Sequence, residues 1–214
     1  MKDDDLLLLL GLGGLLMISS GPEWGTGWRW PVPMLDIGGQ VYEPVVTQEF
    51  KPGVHRGVDI MYRRRSLTDQ AEKFPAGIKG ADGFANADTR FFAPPGTAIL
   101  AARDARVWFV GRAATGWSIV LDHGKPWATF YAHLQTVDLP LHAMGHRQGG
   151  EAAIIVKAGD VLGTMGGNPN TDRGKGAVDG SRLRHLHFEA WYKGAGNDAA
   201  VDPQREMEKR WLHG

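Results

Sequence analysis

The stretch SRLRHLHFEAWYKG at residues 181–194 carries two histidines with one residue between them, His185 and His187, with Glu189 two places on. In a β-strand, successive side chains point to opposite faces. His185, His187 and Glu189 then share one face, and Leu186 and Phe188 share the other. Two strand rises of ~3.3 Å set the imidazoles roughly 7 Å apart. Two ligands so separated do not easily reach one ion at ~2.1 Å, so one can bind a metal while the other flanks it.

Two further segments offer matching chemistry. HRGVDI places His55 and Asp59 with three residues between them, in a stretch whose Gly57, Val58 and Ile60 suit a turn entering a strand. In TFYAHLQTV, strict alternation predicts Thr129, Tyr131 and His133 on one face and Phe130, Ala132 and Leu134 on the other. Two histidines and a carboxylate form an N,N,O set suited to catalytic zinc, with water as the fourth ligand. That leaves two histidines for proton transfer, because imidazole titrates near working pH.

The elements that must position these groups are predominantly strands. The 214 residues include 30 glycines and 12 prolines, which implies many turns and short strands. Hydrophobic residues make up 43% and charged residues 22%, ordinary for a chain that buries a core. The 24 basic and 24 acidic side chains balance, so bulk charge offers no reason to expect nucleic acid or an anionic membrane surface as partner. The absence of cysteine excludes disulfides, thiolate nucleophiles and Cys-type zinc sites. GQVYEPVVTQEF at 39–50, with its proline, suits an edge strand. FFAPPGTAILAARDARVWFVG suits a strand, a Pro-Gly turn and two more strands, and GWSIVLDHGKPWATFYAHLQTV suits a hairpin turning at DHGKP. Residues 63–90, with a helical turn near 67–74, and residues 138–156 are expected as long loops, and a glycine-rich loop at 166–180 leads into the histidine pair. Asp-Pro at 202–203 is a good N-cap and first-turn pair for a short terminal helix. The expected fold is mainly β, an antiparallel sheet or sandwich with long loop insertions.

The amino terminus differs from the rest. Residues 6–18 form an apolar run of 13. As a helix it would rise about 20 Å, short of the ~30 Å hydrocarbon core of a bilayer. It has the length of a secretory h-region, but Lys2 is followed by Asp3, Asp4 and Asp5, and the cleavage signal is weak. Trp24, Trp28 and Trp30 follow, a cluster suited to a membrane boundary or to packing on the domain. Export signal, short anchor and docking segment all stand, so membrane or virion association through residues 6–18 stays open. The expected organisation is an N-terminal segment with a Trp-rich linker over 1–30 and one domain over 31–214.

Taken in order, HRGVDI, YAHL and HLHFE, with APPGTAILAA between the first two and VKAGDVLGTMG before the third, resemble the lysostaphin/LytM type of zinc metallopeptidase, the M23 endopeptidases of peptidoglycan. The likeness covers roughly residues 44–203. It implies a LytM-like domain in which His55, Asp59 and His187 bind one zinc ion per chain and His133 and His185 are catalytic. It further implies hydrolysis of peptide cross-bridges or stem peptides of bacterial peptidoglycan, at an extracytoplasmic or virion-associated location. Some members lack part of this set and regulate other hydrolases; here all five residues are present. A non-catalytic wall-binding or hydrolase-activating protein and a zinc amidase are the alternatives. Arg184 stands where the family usually has a small residue or proline, and the insertion after Asp59 borders the expected groove, so specificity is expected to depart from that of relatives.

Other polar residues have plainer expectations. His123 in DHGKP is expected at the surface or stabilising the turn; His142 and His146 are expected in a solvated loop, and His213 is terminal. Glu189 either orients His187 or faces solvent, and Tyr131 either touches the reacting centre or packs. Arg63, Arg64 and Arg65 suit a solvated loop.

Overall fold

A computed structural model describes residues 7–9, 16–19, 23–24, 28–63, 91–94, 96–113, 115–140, 153–166, 184–192 and 200–208. In chain order the strands are β1 (Leu7–Leu9), β2 (Leu16–Ser19), β3 (Glu23–Trp24), β4 (Trp28–Arg29), β5 (Met34–Ile37), β6 (Gln40–Tyr42), β7 (Pro44–Gln48), β8 (Val58–Arg63) and β9 (Phe91–Phe92). They continue as β10 (Ala98–Leu100), β11 (Ala105–Ala113), β12 (Gly116–Asp122), β13 (Trp127–Val137), β14 (Ile155–Val156), β15 (Val161–Met165), β16 (Leu186–Tyr192) and β17 (Ala200–Val201). One helix, α1 (Pro203–Glu208), closes the series among the described residues. The fold is mainly antiparallel β, as the glycine-punctuated sequence predicts.

The main sheet runs β14-β11-β12-β13-β16-β8-β7, and every pairing along it is antiparallel. Pro44 opens β7 at the sheet edge, where a missing N–H costs no ladder bond. The 39–50 stretch is two strands rather than one: β6 pairs with β5 in a second sheet that includes β1 and β2, while β7 pairs with β8. The described parts of the apolar N-terminal run are thus strands. No helix among the described residues is long and apolar enough to cross a membrane.

One face of the main sheet is packed on the principal core. Val58, Ile60, Ile119, Leu121, Tyr131, Leu134, Leu186, Phe188 and Ala190 lie there, with Trp28 and Val32 from the N-terminal side. At ~25 cal/mol per Å² of apolar surface withdrawn from water, side chains of this size each favour folding by about 1.5–3 kcal/mol. The hairpin turn falls where DHGKP predicts it, with Asp122 paired to Ala128. Asp202 caps α1 as expected: its Oδ1 accepts from the backbone N–H groups of Gln204 and Arg205 at 3.1 and 3.3 Å. Of the loops expected over 63–90, 138–156 and 166–180, residues 64–90, 141–152 and 167–180 lie outside the described residues, with the helical turn near 67–74 and with His142, His146, Arg64 and Arg65, as does His213. Arg63 instead ends β8, and Ile155–Val156 form β14 because they pair with β11.

Candidate active site

β16 alternates as its sequence requires. Leu186, Phe188 and Ala190 enter the core, which turns His187, Glu189 and Trp191 to the opposite face. β8 and β13 flank β16, and Asp59 sits directly across from His187. Gly57, just before β8, is the close approach that permits this: a Cβ there would stand 2.3 Å from the Phe188 carbonyl oxygen and 2.9 Å from Cγ of Glu189.

His55 comes from a tight turn over residues 51–55, where the Lys51 and His55 backbones exchange hydrogen bonds of 2.8 Å. The turn carries the His55 ring over the sheet to Asp59 and His187. His55 Nε2 lies 3.1 Å from Asp59 Oδ1 and 3.1 Å from His187 Nδ1, and His187 Nδ1 lies 3.0 Å from Asp59 Oδ1. The outer ring nitrogens are committed elsewhere. His55 Nδ1 donates to the Glu49 carbonyl at 2.9 Å, and His187 Nε2 is 3.0 Å from Glu189 Oε1. Both histidines therefore aim unprotonated nitrogens at one carboxylate oxygen when neutral, which leaves three lone pairs converging. Such a trio is stable around a cation or a shared proton. Tetrahedral zinc with bonds of ~2.0–2.1 Å spaces its ligand atoms about 3.3 Å apart, so the trio fits that ion in donor type and spacing.

The electrostatics agree. Burial opposes ionisation of Asp59, but a hydrogen bond from His187 and the charges of His185, His187 and His55 outweigh it and hold the carboxyl below its usual range. Burial likewise opposes charge on His187, but hydrogen bonds and charges from Asp59 and Glu189 push its pKa up to about 9. Without a metal, His187 carries a proton between two carboxylates.

His133 reaches this face by an irregularity that alternation does not anticipate. Trp117 pairs with Leu134 but Ile119 pairs with Tyr131, so Ala132 and His133 together oppose one residue of β12. This is a β-bulge, and His133 takes a left-handed backbone with φ of 64°. The expected sharing of one face by Thr129, Tyr131 and His133 is therefore corrected. Tyr131 and Leu134 both enter the core, and the His133 ring stands 4.8 Å from that of His185 and 5.7 Å from that of His187. His133 Nδ1 donates to the Thr115 carbonyl at 2.9 Å. Burial and the neighbouring His185 and His187 depress its pKa to about 3, so it is neutral with its lone pair on Nε2. His185 Nε2 lies 3.8 Å from Asp59 Oδ2.

The geometry thus gathers His55, Asp59, His133, His185 and His187 from three separate chain segments. Tyr131 packs: its hydroxyl accepts from the Ala102 N–H at 2.9 Å, on the core side. Glu189 is buried against His187 and accepts from Trp191 Nε1 at 2.6 Å. The Glu49 and Thr115 carbonyls, which fix two ring orientations, carry no side-chain signal and were not foreseeable as such. Arg184, the departure noted before the first histidine of the pair, donates to the Met165 carbonyl at 3.4 Å.

The sequence model described as Peptidase family M23 matches residues 86–203. The chain is 30% identical over 131 residues to the Cell division protein DipM of Caulobacter vibrioides (strain NA1000 / CB15N), a match covering 59% of this chain and 18% of that protein. It is 28% identical over 185 residues to the Murein hydrolase activator NlpD of Escherichia coli (strain K12), covering 86% of this chain and 32% of that one. The chain thus spans about a third or less of the length of these curated relatives. Among solved structures, the catalytic domain of the antimicrobial peptidase lysostaphin from Staphylococcus simulans aligns with a TM-score of 0.45 at 19% identity, over 78% of this chain and 92% of that one. A zinc-containing peptidase from Vibrio cholerae aligns with a TM-score of 0.47 at 17% identity, over 88% of this chain and 46% of that one.

Proposed function

Because the chain belongs to Peptidase family M23, we propose that it is a zinc-dependent endopeptidase that hydrolyses peptide cross-bridges or stem peptides of bacterial peptidoglycan. The observation that carries this reading is the convergence of His55 Nε2, Asp59 Oδ1 and His187 Nδ1 within 3.1 Å of one another, with two further imidazoles beside them. His55, Asp59 and His187 would hold the ion. When bound, zinc supplies a Lewis acid and brings the pKa of a bound water to about 7.

The remaining work falls to the chain's own groups. The Thr115 carbonyl accepts a hydrogen bond from Nδ1–H of His133, which keeps the lone pair on Nε2 to accept the proton of the attacking water. His185, with its ring beside that of His133 and its Nε2 toward Asp59, completes the pair that handles the proton passed to the leaving amine. The left-handed backbone of His133 is a strained conformation for a non-glycine residue. The surrounding sheet holds it there, which keeps the imidazole fixed before substrate arrives.

Peptidoglycan as substrate implies action outside the cytoplasmic membrane, in the periplasm or cell envelope. In this reading residues 1–30 serve for export, anchoring or docking, and residues 31–214 form the peptidase domain. Virion association gains no support from the relatives. A second reading, a wall-binding protein that activates other hydrolases without cutting, is favoured by the likeness to the murein hydrolase activator NlpD. The complete histidine set argues for cutting.

Purified full-length protein should carry about one zinc per chain and clear a peptidoglycan gel. Mass spectrometry of the released fragments should show new amino termini within the peptide. Free lactyl ends would make it an amidase, and no fragments would make it an activator. His133→Ala should keep the metal and lose lysis, while His187→Ala should lose both; equal residual lysis in the two variants overturns the role assignment.

A further inference from the structure

On the metal-site face of β16, three side chains at alternate positions are linked in a row. His187 Nε2 meets Glu189 Oε1 at 3.0 Å, and Trp191 Nε1 donates to Glu189 Oε2 at 2.6 Å. Each carboxylate oxygen has its own donor. Glu189 is 6% exposed and Trp191 5%. The backbone of Gly57 covers Glu189 closely enough that a Cβ there would stand 2.9 Å from Cγ of the glutamate. Trp191 is held in turn by stacking on Phe130, with ring centroids 5.5 Å apart and planes 13° from parallel. With the residue buried and each oxygen of Glu189 engaged by its own donor, the group takes no direct part in the chemistry assigned to His133 and His185.

We infer that Glu189, locked by Trp191, is a positioning residue that fixes His187 in the tautomer presenting Nδ1 to the metal ion. This rests on the zinc reading above. A ligand imidazole whose second nitrogen donates to a carboxylate is oriented and made more basic, and loss of such a partner typically costs 10–100-fold in metal affinity. Trp191 contributes by removing the alternative in which Glu189 rotates away. Its indole N–H is the donor that keeps Oε2 turned from His187 and Oε1 turned toward it. Because His187 and Glu189 are two residues apart on a strand, the tether is built into the period of the sheet and needs no loop to form it.

The test measures zinc affinity of the full chain, stripped by chelation and titrated with zinc against a fluorescent competitor, beside the melting temperature of the metal-free form. Glu189→Gln keeps one acceptor but turns an amide N–H₂ toward the indole donor, which threatens folding. The double variant Glu189→Gln/Trp191→Phe removes that clash while keeping the ring stack, and is the deciding protein. Its expected behaviour is a metal-free melting temperature near wild type with zinc affinity reduced about 10–100-fold. Trp191→Phe alone should lose a few-fold. In nitrogen-15 spectra of the zinc-loaded protein, the Nε2 proton of His187 should be sharp in wild type and broadened by exchange in the double variant. A wild type that binds zinc beside a double variant binding it as tightly overturns the inference alone. A wild type that takes up no zinc overturns the zinc reading, and the inference with it.

Discussion

β13 borders two histidine environments that differ in almost every physical respect. On the outer face, past the bulge, His133 joins His55, His185 and His187 around Asp59. On the core side, Thr129 Oγ1 lies 2.7 Å from His123 Nε2 and 3.3 Å from the Tyr131 hydroxyl. His123 Nδ1 donates to the Asp104 carbonyl at 3.0 Å, and its ring meets Trp28 edge-on at 4.9 Å. Of the two expectations for His123, the turn-stabilising one holds, since its backbone N–H donates to the Trp127 carbonyl at 3.1 Å across the turn, and both ring nitrogens also tie it into the inner network. Burial, with the charge of Arg103, lowers its pKa to about 4 against the pull of the Asp104 carbonyl. His187, enclosed more completely than the half-buried His123, is nevertheless pushed to about 9. The difference lies in the partners: carboxylates in contact at the outer site, a carbonyl and a hydroxyl at the inner one. Burial alone does not mark a functional histidine; burial beside converging anionic ligands does.

The comparison can be broken at several strengths. The largest effect is expected at the outer site. His187→Ala should abolish zinc uptake and lower peptidoglycan hydrolysis at least ~10³-fold, whereas His123→Gln should hydrolyse within about twofold of wild type. Dye release from labelled sacculi with metal content measured in parallel checks both. A His123 variant as inactive as the His187 variant would erase the distinction.

Next is pH. In the metal-free protein the two histidines should tilt stability in opposite directions. His123 has a folded pKa of about 4, below the ordinary imidazole value of 6.5, so its contribution is present above 6.5 and is lost as pH falls from 6.5 toward 4. His187 has a folded pKa of about 9, so its contribution is present below 6.5 and is lost as pH rises through 9. Each swing is roughly 3 kcal/mol at most, at ~1.4 kcal/mol per pKa unit. Urea unfolding from pH 4 to 9 should therefore peak near neutrality. His123→Gln should flatten the acid limb only, and His187→Gln the alkaline limb only.

The same proton governs metal binding. Zinc must displace it from His187, so affinity should rise about tenfold per pH unit below the elevated pKa, with close to one proton released per ion. Calorimetry in buffers of different ionisation enthalpy measures this. His123→Gln should leave the slope unchanged.

Gly57→Ala should cost about 3 kcal/mol through overlap with the Phe188 carbonyl, and should weaken zinc binding because His55 and β8 must shift from β16. The smallest expected effect is at the inner turn. Gly124 has φ of 79° with open space around its Cα, so Gly124→Ala should cost only about 1–2 kcal/mol in conformational strain and leave zinc affinity intact. Thermal melts with and without zinc separate these two glycines.

Much of this was legible beforehand. The alternation in HLHFE, the DHGKP turn and the Asp-Pro cap are local signals, and each produced the local structure it implies. The face of His133 was misjudged because a bulge depends on pairing with β12 and on the Thr115 carbonyl, neither of which TFYAHLQTV reveals. Glu189 stayed ambiguous because a glutamate outside the core face of a strand looks the same in sequence whether it is covered or wet. Its burial comes from Gly57 and Trp191 closing over it.

What the sequence determined by itself was the inventory and its periods: N and O ligands without sulfur, polar residues at strand spacing, and glycine where chains must touch. Those follow from covalent chemistry and from the two-residue repeat of a pleated strand. Only the tertiary structure decided which lone pairs meet. Convergence of residues 55, 59, 133, 185 and 187 requires strand order, register and one left-handed residue, and each of these is settled by hydrogen bonds between segments far apart in the chain.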